Sequence, residues 1–450
     1  MKILISGATG LVGSELGKKL VAKGHEIYVL TRSPEKANQY CPFPQTPVSW
    51  DEFYDNTELE NLDCIIHLAG TSLFDQRWNK KFKDKIYHSR VDTTKRLVEF
   101  ANKKTKKLKA FISTSAVGIY GEADDKPITE EAPKSYSFLG KVCQEWESPL
   151  EKLMNARGVI FRVGIVFSEK GGALSEMVPP IQMGYGGPLG SGKQFTSWID
   201  IDDLVNMYVF AIENDIYGVY NAVSPNPKTN KEITQWIAKH LSKKAFLPVP
   251  LFALRLVMGE VAPHLVESQT ISADKILSKG FKFENDELEK SLTKRVPKLS
   301  GTEKRVIYEQ WVPKSKSEVF EFFSDAKNLE TITPPSLNFK ILNMSTDKIE
   351  SGSIINYKLK IDGIPIKWRT LIKDWDPPHM FSDNQEKGPY TKWYHIHRFE
   401  DLGGGTLMTD QVDFKIPLGL SGKLIAGWKV VRDVQKIFQF RRETIDKIYK

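Results

Sequence analysis

Cysteine is scarce in this chain of 450 residues, and its three cysteines, Cys41, Cys64 and Cys143, stand far apart. An odd number of widely separated cysteines argues against a disulfide framework and against a zinc site built from closely spaced cysteines. Cys64 lies in an apolar run that is typical of a strand, so we expect a reduced thiol in the core.

Long apolar runs are also missing. No stretch reaches the roughly 18 consecutive apolar residues that a membrane-spanning helix needs. The most apolar late segment, residues 247–266, contains Arg255, Glu260 and three prolines. The first ten residues form a strand and a glycine turn, which is not the pattern of a signal peptide. The sequence therefore predicts a cytoplasmic protein with no membrane span.

Acidic residues are outnumbered by basic ones, and the formal net charge is +8. Such a balance can attract phosphate groups, nucleic acids or anionic membranes. The densest basic run lies between a predicted helix and a predicted strand, and no aromatic residues for base stacking are interleaved with it. We favour a solvated helix end over a nucleic-acid patch for this run, which consists of Lys103, Lys104, Lys106, Lys107 and Lys109.

The first part of the chain alternates strand and helix patterns. Strand-like runs occur at residues 2–6, 26–31, 64–68, 110–115 and 159–163, with helical patterns at 11–23 and 79–103. This alternation implies right-handed crossovers and a parallel sheet with helices on both faces. The sequence predicts an α/β Rossmann domain, a doubly wound parallel sheet, over residues 1–230, followed by a helical appendix over 231–292.

A basic segment with Pro297 and Gly301, residues 293–305, breaks this pattern and is predicted to be an interdomain linker. In the following domain, residues 306–450, alternating strand patterns precede one long helical pattern from about 421 to 449. An antiparallel sheet with a helix lying on it is an α+β arrangement that can enclose a cavity. The apolar stripe of that helix is predicted to contain Leu424, Trp428, Val431, Val434 and Phe438.

The most informative motif is a glycine-rich turn directly after the first strand. A turn this tight needs residues without a Cβ at Gly7 and Gly10, and Gly13 lets the following helix pack closely on the strand. The backbone amides and the dipole at such a helix N-terminus bind a pyrophosphate. We predict a dinucleotide site formed by Gly7, Thr9, Gly10, Leu11, Val12 and Gly13.

The end of the second strand indicates which dinucleotide is bound. An acidic residue at this position would bind a ribose 2′-hydroxyl, but this chain has Arg32, with Thr31 and Ser33 as further hydrogen-bond donors. A guanidinium group can pair with a phosphate in a bidentate manner. We therefore predict NADP(H) rather than NAD(H) as the cofactor; the alternative is a merely solvent-exposed arginine.

Further motifs resemble the bacterial epimerase-like family of extended short-chain dehydrogenases, which belongs to the NAD-dependent epimerase/dehydratase family. They run in the family's order and include residues 67–70 (HLAG), 89–90 (SR), 113–121, 138–147 and 198–203, so that the resemblance covers about residues 1–295. It implies that Leu68, Ala69, Gly70, Arg90 and Lys141 also contribute to the cofactor site.

The remaining residues, 303–450, resemble the SRPBCC or START-like ligand-binding domains, which have the helix-grip fold. The resemblance rests on motifs at residues 331–335, 363–368, 381–390 and 393–399, and on Asp410. It implies a hydrophobic ligand held under the long last helix. The same fold serves carriers, cyclases and sensors, so it does not specify one activity.

The family resemblance also implies a catalytic set. Short-chain dehydrogenases place a serine after the fifth strand, here Ser115, and a tyrosine with a lysine four residues later. In this chain Phe138 occupies the tyrosine position, and Lys141 follows after three residues. Spacings of three and four residues share one helix face, so we expect Lys141 to reach the nicotinamide ribose. Tyr120 is a candidate replacement for the proton donor; its alternative is a core or loop tyrosine.

Two functions therefore stay open. One is an NADP(H)-dependent oxidoreductase or epimerase acting on a small polar or nucleotide-linked molecule. The other is a non-enzymatic sensor or carrier that holds a dinucleotide and a lipid-like ligand. Phe138 favours this second function, because a phenyl ring carries no acidic proton. A homodimer is an open alternative to a monomer.

Two histidines in the last domain, His395 and His397, point to one face of a predicted strand. Two ligands do not make a metal site, and the nearby sequence offers no third one, so we predict no metal. A polar cavity lining or a solvated strand face is the expected role.

Overall fold

The computed structural model of the protein describes residues 1–122, 126–416 and 419–449, with the side chains of 419–428 left out. The chain forms two compact units. The first comprises residues 1–37 and 45–298, and the second comprises residues 38–44 and 299–450. Leu424 and Trp428, predicted for the apolar stripe of the last helix, have side chains outside the described residues.

Up to Lys298 the described chain alternates strands with helices. The strands are β1 (Lys2–Ser6), β2 (Glu26–Thr31), β3 (Thr46–Ser49), β4 (Cys64–His67), β5 (Ala110–Ala116), β6 (Arg157–Val163), β7 (Ile165–Ser168), β8 (Gly171–Gly172), β9 (Phe195–Thr196), β10 (Trp198–Asp200), β11 (Gly218–Ala222) and β12 (Lys228–Thr229). The helices are α1 (Leu11–Ala22), α2 (Pro34–Tyr40), α3 (Lys80–Lys104), α4 (Phe138–Glu147), α5 (Ala173–Gln182), α6 (Ile201–Glu213), α7 (Asn230–His240), α8 (Leu251–Met258), α9 (Asp274–Ser278) and α10 (Leu288–Arg295).

Seven of these strands form one sheet in the order β11-β6-β5-β4-β1-β2-β3, and every pair in it is parallel. The order reverses between β1 and β4, so right-handed crossovers place helices on both faces. Helix α1 packs beside α6, and α3 packs beside α4. The predicted Rossmann-like parallel sheet is confirmed, and its carboxyl edge is where such folds bind ligands.

The predicted linker is shorter in the structure than in the sequence-based prediction. Helix α10 continues to Arg295, whose guanidinium pairs with the buried carboxylate of Asp200 at 2.7 Å. Val296 is buried as well, and the next strand already begins at Lys304. The basic composition of residues 293–305 predicts a solvated segment and gives no sign of this ion pair. Because of the pair, the start of the segment belongs to the first unit.

The second unit contains a separate antiparallel sheet. Its strands are β13 (Lys304–Val312), β14 (Lys340–Met344), β15 (Ile354–Ile361), β16 (Ile364–Asp376), β17 (Met380–Lys387), β18 (Lys392–Leu402) and β19 (Gly405–Lys415), and its helices are α11 (Lys316–Ser324), α12 (Asn328–Thr331) and α13 (Gly419–Tyr449). The sheet order is β13-β19-β18-β17-β16-β15-β14, with all neighbours antiparallel.

Helix α13 contributes to the core of this unit through its apolar stripe. Val434 and Phe438 pack in one cluster with Val412 and Phe414 of β19, and Ile445 packs in another. The helix therefore covers one face of the sheet, as the α+β prediction requires.

Among the described residues, no helix combines the length and the apolar character that crossing a bilayer demands.

Candidate functional site

The turn after β1 is shaped by the missing side chains of two glycines. Gly7 has φ +83°, and a Cβ on it would lie 2.8 Å from the amide nitrogen of Ala69. A Cβ on Gly13 would lie 2.3 Å from the carbonyl oxygen of Gly7. Both distances are below any ordinary contact, so the turn passes close to the end of β4 and α1 packs directly on the turn.

Helix α1 begins at this turn with its N-terminus open. Gly10 is the N-cap and offers no side chain to the first amides, and the first turn contains no acidic residue. The amide of Gly10 is bonded to the carbonyl of Gly7 at 3.0 Å, whereas the amides of Leu11 and Val12 have no partner within the helix. Unpaired amides and the positive end of the helix dipole suit the diphosphate of a dinucleotide.

Arg32 follows the end of β2, beside this turn. Its side chain is exposed, and in the described part of the chain its guanidinium forms no hydrogen bond or ion pair. The two predicted helper residues are already engaged, because Thr31 Oγ1 bonds the backbone of Ser33 and Ser33 Oγ donates to Glu35 at 3.0 Å. Of these three residues, Arg32 is the one whose side chain has no partner within the described chain, and donation by Thr31 and Ser33 to a cofactor stays a prediction.

The end of β4 brings further predicted residues to the same edge of the sheet. The backbone of Leu68 and Ala69 faces Gly7, and a Cβ on Gly70 would lie 3.1 Å from Cζ of Arg90. Arg90 donates to the carbonyl oxygens of Thr71 and Ile86 at 3.0 and 3.1 Å. In the residues described, it has no carboxylate partner, and burial lowers its pKa. An anionic ligand group would supply the missing countercharge.

Side chains from β4, β5 and α4 form a buried polar group beside Arg90. His67 pairs in register with Ser113, so Ser115, two residues further along β5, projects from the same sheet face. The indole of Trp146 lies under Arg90 at 5.1 Å and edge-on to His67 at 6.3 Å. Three atoms have no hydrogen-bond partner among the described residues: His67 Nε2, Ser115 Oγ and Trp146 Nε1. Unpaired buried polar atoms in one region indicate a place for a polar ligand.

Burial also sets the protonation of this group. It lowers the pKa of His67 to about 4, so the imidazole is neutral and its Nδ1 shares a hydrogen bond with Ser6 Oγ at 2.6 Å. Burial raises the pKa of the Cys143 thiol to about 11, and the hydroxyl of Ser115 partly opposes that rise. Cys143 therefore keeps its proton at neutral pH. Its place beside Ser115 was not predicted, although Cys143 and Trp146 are spaced to share one face of α4.

The other two catalytic candidates are Lys141 and Tyr120. Lys141 is exposed, whereas Gly140, Cys143 and Glu147 of the same helix are buried. The expectation that three-residue spacing lets Lys141 reach the nicotinamide ribose stays a prediction. Phe138 packs edge-on against Trp78 at 5.4 Å.

Tyr120 belongs to a buried network instead. Its hydroxyl donates to Asn221 Oδ1 at 2.6 Å and accepts from Arg162 at 2.8 Å. Arg162 also pairs with both carboxylate oxygens of Glu147 at 2.9 and 2.8 Å. Burial raises the pKa of Tyr120 to about 12. A hydroxyl whose proton is already donated and held this tightly is a structural group, which argues against the predicted catalytic role of Tyr120.

The two histidines of the second unit are not on a solvated face. His395 and His397 are 5% and 4% exposed, so the solvated alternative is wrong. Asp383 of β17 and Asp410 of β19 flank them within 3.3 Å, so the structure supplies the acidic neighbours that the local sequence lacked. Burial opposes ionisation of Asp383, but hydrogen bonds from both histidines outweigh it and keep its pKa below the ordinary value.

Comparisons with known proteins agree with the first unit's geometry. Residues 3–249 match the model of the NAD dependent epimerase/dehydratase family, and residues 249–294 match DUF1731, a domain of unknown function. The chloroplastic epimerase family protein SDR39U1 homolog of Arabidopsis thaliana is 37% identical over 290 residues, covering 63% of this chain and 83% of that protein. YfhF of Bacillus subtilis is 34% identical over 302 residues, covering 66% and 98%.

A solved structure extends this similarity to three dimensions. The crystal structure of the human epimerase family protein SDR39U1 with NADPH has a TM-score of 0.61 and 31% identity, covering 66% of this chain and all of that one. A nucleoside-diphosphate sugar epimerase from Corynebacterium glutamicum has a TM-score of 0.52 and 29% identity, covering 66% of this chain and 58% of that one. The protein therefore belongs to the NAD dependent epimerase/dehydratase family and is similar to the SDR39U1-type epimerase family proteins.

Proposed function

We propose that the first unit binds NADP(H) and acts as an oxidoreductase or epimerase on a small polar or nucleotide-linked molecule. The observation that carries the proposal is the amide-lined turn at residues 7–13 with the unpaired Arg32 beside it. The NADPH in the human SDR39U1 structure supports the choice of cofactor. When bound, NADP(H) supplies or accepts the hydride.

Different residues would bind different groups of the cofactor and the substrate. The amides of Leu11 and Val12 would hold the diphosphate, and Arg32 would pair with the 2′-phosphate. Arg90, which lacks an acidic partner among the described residues, would attract a negatively charged group of the cofactor or substrate. Ser115 Oγ would donate its free hydrogen bond to the substrate oxygen on which charge changes.

The cofactor assignment is tested by replacing the guanidinium. In the full-length chain, Arg32→Ala should weaken NADPH binding about 10- to 100-fold, because a charge-assisted hydrogen bond contributes about 1.5–3 kcal/mol. NADH binding should change less than twofold, since NADH has no 2′-phosphate. Isothermal titration measures both dissociation constants, with the exposed Lys36→Ala as matched control. Tighter binding of NADH by the wild type, or an unchanged preference in Arg32→Ala, would refute the assignment.

The chemical role of Ser115 is tested separately. NADPH consumption is followed against a broad panel of carbonyl compounds, and any activity found should fall about 100- to 1000-fold in Ser115→Ala, as when one donor to a reacting oxygen is lost. NADPH affinity should stay unchanged. Ser113→Ala is the control, because Ser113 is equally buried and lies on the same face of β5. Equal turnover by Ser115→Ala and the wild type would count against the role.

A second candidate function is a non-enzymatic carrier or sensor. The observation that favours it is the loss of the usual proton machinery: Phe138 replaces the tyrosine, Lys141 is exposed, and the Tyr120 hydroxyl is engaged. Mass spectrometry of ligands extracted from the purified protein distinguishes the two. A bound apolar molecule without turnover on the whole panel would favour the carrier.

For the second unit we propose a START-like, helix-grip domain that holds a hydrophobic ligand. Its support is a group of aromatic rings on one sheet face, with Tyr357 stacked on Trp368 at 5.8 Å and Trp393 edge-on to Trp368 at 5.5 Å. Tyr390 extends the group at 4.9 Å from Trp393. Such a surface binds flat or apolar molecules.

A further inference from the structure

We propose that Asp383, His395 and His397 form a binding site for a divalent transition-metal ion, with Asp410 as the residue that orients both imidazoles. The site lies in the second unit and does not depend on the dinucleotide proposal. Each of the three residues can offer one ligand atom, and these atoms lie within 4.8 Å of one another.

Strand pairing brings the four side chains together. His395 and His397 are two residues apart on β18 and therefore share a face. Asp383 of β17 lies opposite His395, and Asp410 of β19 lies opposite His397. Directly opposed residues of antiparallel strands point to the same side. Regular sheet geometry, rather than a mobile loop, fixes the donor set.

The two distances between the carboxylate and the imidazoles suit tetrahedral coordination. His395 Nδ1 and His397 Nε2 each lie 3.3 Å from Asp383 Oδ2. With metal–ligand bonds of roughly 2.0–2.1 Å, neighbouring donors of a tetrahedron are about 3.3–3.4 Å apart. Both carboxylate–imidazole pairs therefore have the separation that a shared ion requires, and all three ligand atoms lie within 4.8 Å of one another.

The opposite nitrogens of both rings face one carboxylate oxygen. Asp410 Oδ1 is hydrogen-bonded to His395 Nε2 at 2.8 Å and lies 2.8 Å from His397 Nδ1, though without hydrogen-bond alignment there. Arg441 reaches the same oxygen at 3.3 Å. Histidines that bind metals commonly donate their second N–H to a carboxylate, which fixes the ring orientation and makes the ligating nitrogen more basic.

The donor set selects the class of ion. Two imidazoles and one carboxylate suit Zn²⁺, Co²⁺ or Fe²⁺, whereas Ca²⁺ and Mg²⁺ prefer sets made of oxygens. Three protein ligands leave one coordination position for an exogenous oxygen donor. A small cleft lined by Tyr308, Phe438 and Arg441 reaches the orienting residue, Asp410.

The test uses the untagged full-length chain after treatment with a chelator. Calorimetric titration should show one Zn²⁺ per chain with micromolar or tighter affinity, and no comparable binding of Mg²⁺. Co²⁺ should give ligand-field absorption without thiolate charge transfer, and X-ray absorption on the Co²⁺ form should show imidazole scattering. Absence of saturable Zn²⁺ binding, or a bound metal without imidazole ligands, would overturn the proposal irrespective of any variant.

Variants locate the site. Asp383→Asn and His397→Gln should each weaken Zn²⁺ binding at least tenfold, and Asp410→Asn should weaken it about 10- to 100-fold because it acts through the histidines. The control is His379→Gln, an exposed histidine of the same unit, which should bind Zn²⁺ like the wild type. Circular dichroism confirms that each variant is folded. Wild-type affinity in folded Asp383→Asn and His397→Gln would place the metal elsewhere and contradict the proposal.

Discussion

A single buried histidine makes the stability of the first unit depend on pH. His67 is fully buried, and the loss of hydration lowers its pKa from 6.5 to about 4. The unfolded chain binds a proton at this residue below pH 6.5, whereas the folded chain does so only near pH 4. The contribution of neutral His67 to stability is therefore complete above pH 6.5 and is lost as the pH falls towards 4.

The variant His67→Asn should remove this dependence, because an amide does not titrate in that range. Relative to the wild type, its free energy of unfolding should improve by up to about 3 kcal/mol between pH 7 and pH 4, at about 1.4 kcal/mol per pKa unit. Chemical denaturation at a series of pH values measures the difference. His88→Asn, at an exposed position, should follow the wild-type profile. Parallel profiles for His67→Asn and the wild type would contradict a neutral buried His67.

Prediction at the residue scale succeeded where backbone geometry decides the role. The glycines of residues 7–13 were predicted from steric reasoning, and the close approaches of Gly7 and Gly13 match it. It could not foresee the hydrogen bonds of Tyr120, because the partners of its hydroxyl, Asn221 and Arg162, lie in distant segments and no sequence signal links them to it. Asp383 and Asp410 belong to the START-like motifs, but their contacts with His395 and His397 were not predicted, for the same reason.

At the element scale, an ion pair fixes the position of helix α4, which contributes residues to the candidate site. Glu147, at its last turn, forms two hydrogen bonds with Arg162 of β6, and both side chains are almost fully buried. The same helix carries Cys143 and Trp146 towards the sheet. Lys141 lies on its outer side, which a motif comparison could not reveal without the helix orientation.

Neutralising this carboxylate should destabilise the protein strongly. Glu147→Gln keeps the shape but leaves the Arg162 cation buried without its countercharge, a change that costs about 3–5 kcal/mol in comparable pairs. Urea unfolding of the full-length chain measures the loss. Glu151→Gln, an exposed carboxylate four residues further on, should be neutral within about 0.5 kcal/mol. A loss below about 1 kcal/mol in Glu147→Gln would show that the pair does not anchor the helix.

At the scale of the whole molecule, the change of periodicity along the sequence identified both architectures. Apolar runs alternating with helices predicted the parallel sheet, and two-residue alternation before a long helix predicted the antiparallel one; both are present. The predicted start of the linker was less accurate. Arg295 is charged and was therefore assigned to the linker, although its ion pair with Asp200 is buried. The assignment of residues 38–44 to the second unit had no counterpart in the sequence pattern.

The pairing of β17, β18 and β19 determines when the four side chains can come together as the second unit folds. Asp383, His395, His397 and Asp410 come from three neighbouring strands, and a slip of one residue in β18 would turn both imidazoles to the opposite side. These four side chains can therefore contact one another only after the three strands have paired in their final register. A signal that requires both imidazoles at once would therefore appear during refolding only when these three strands have paired in register.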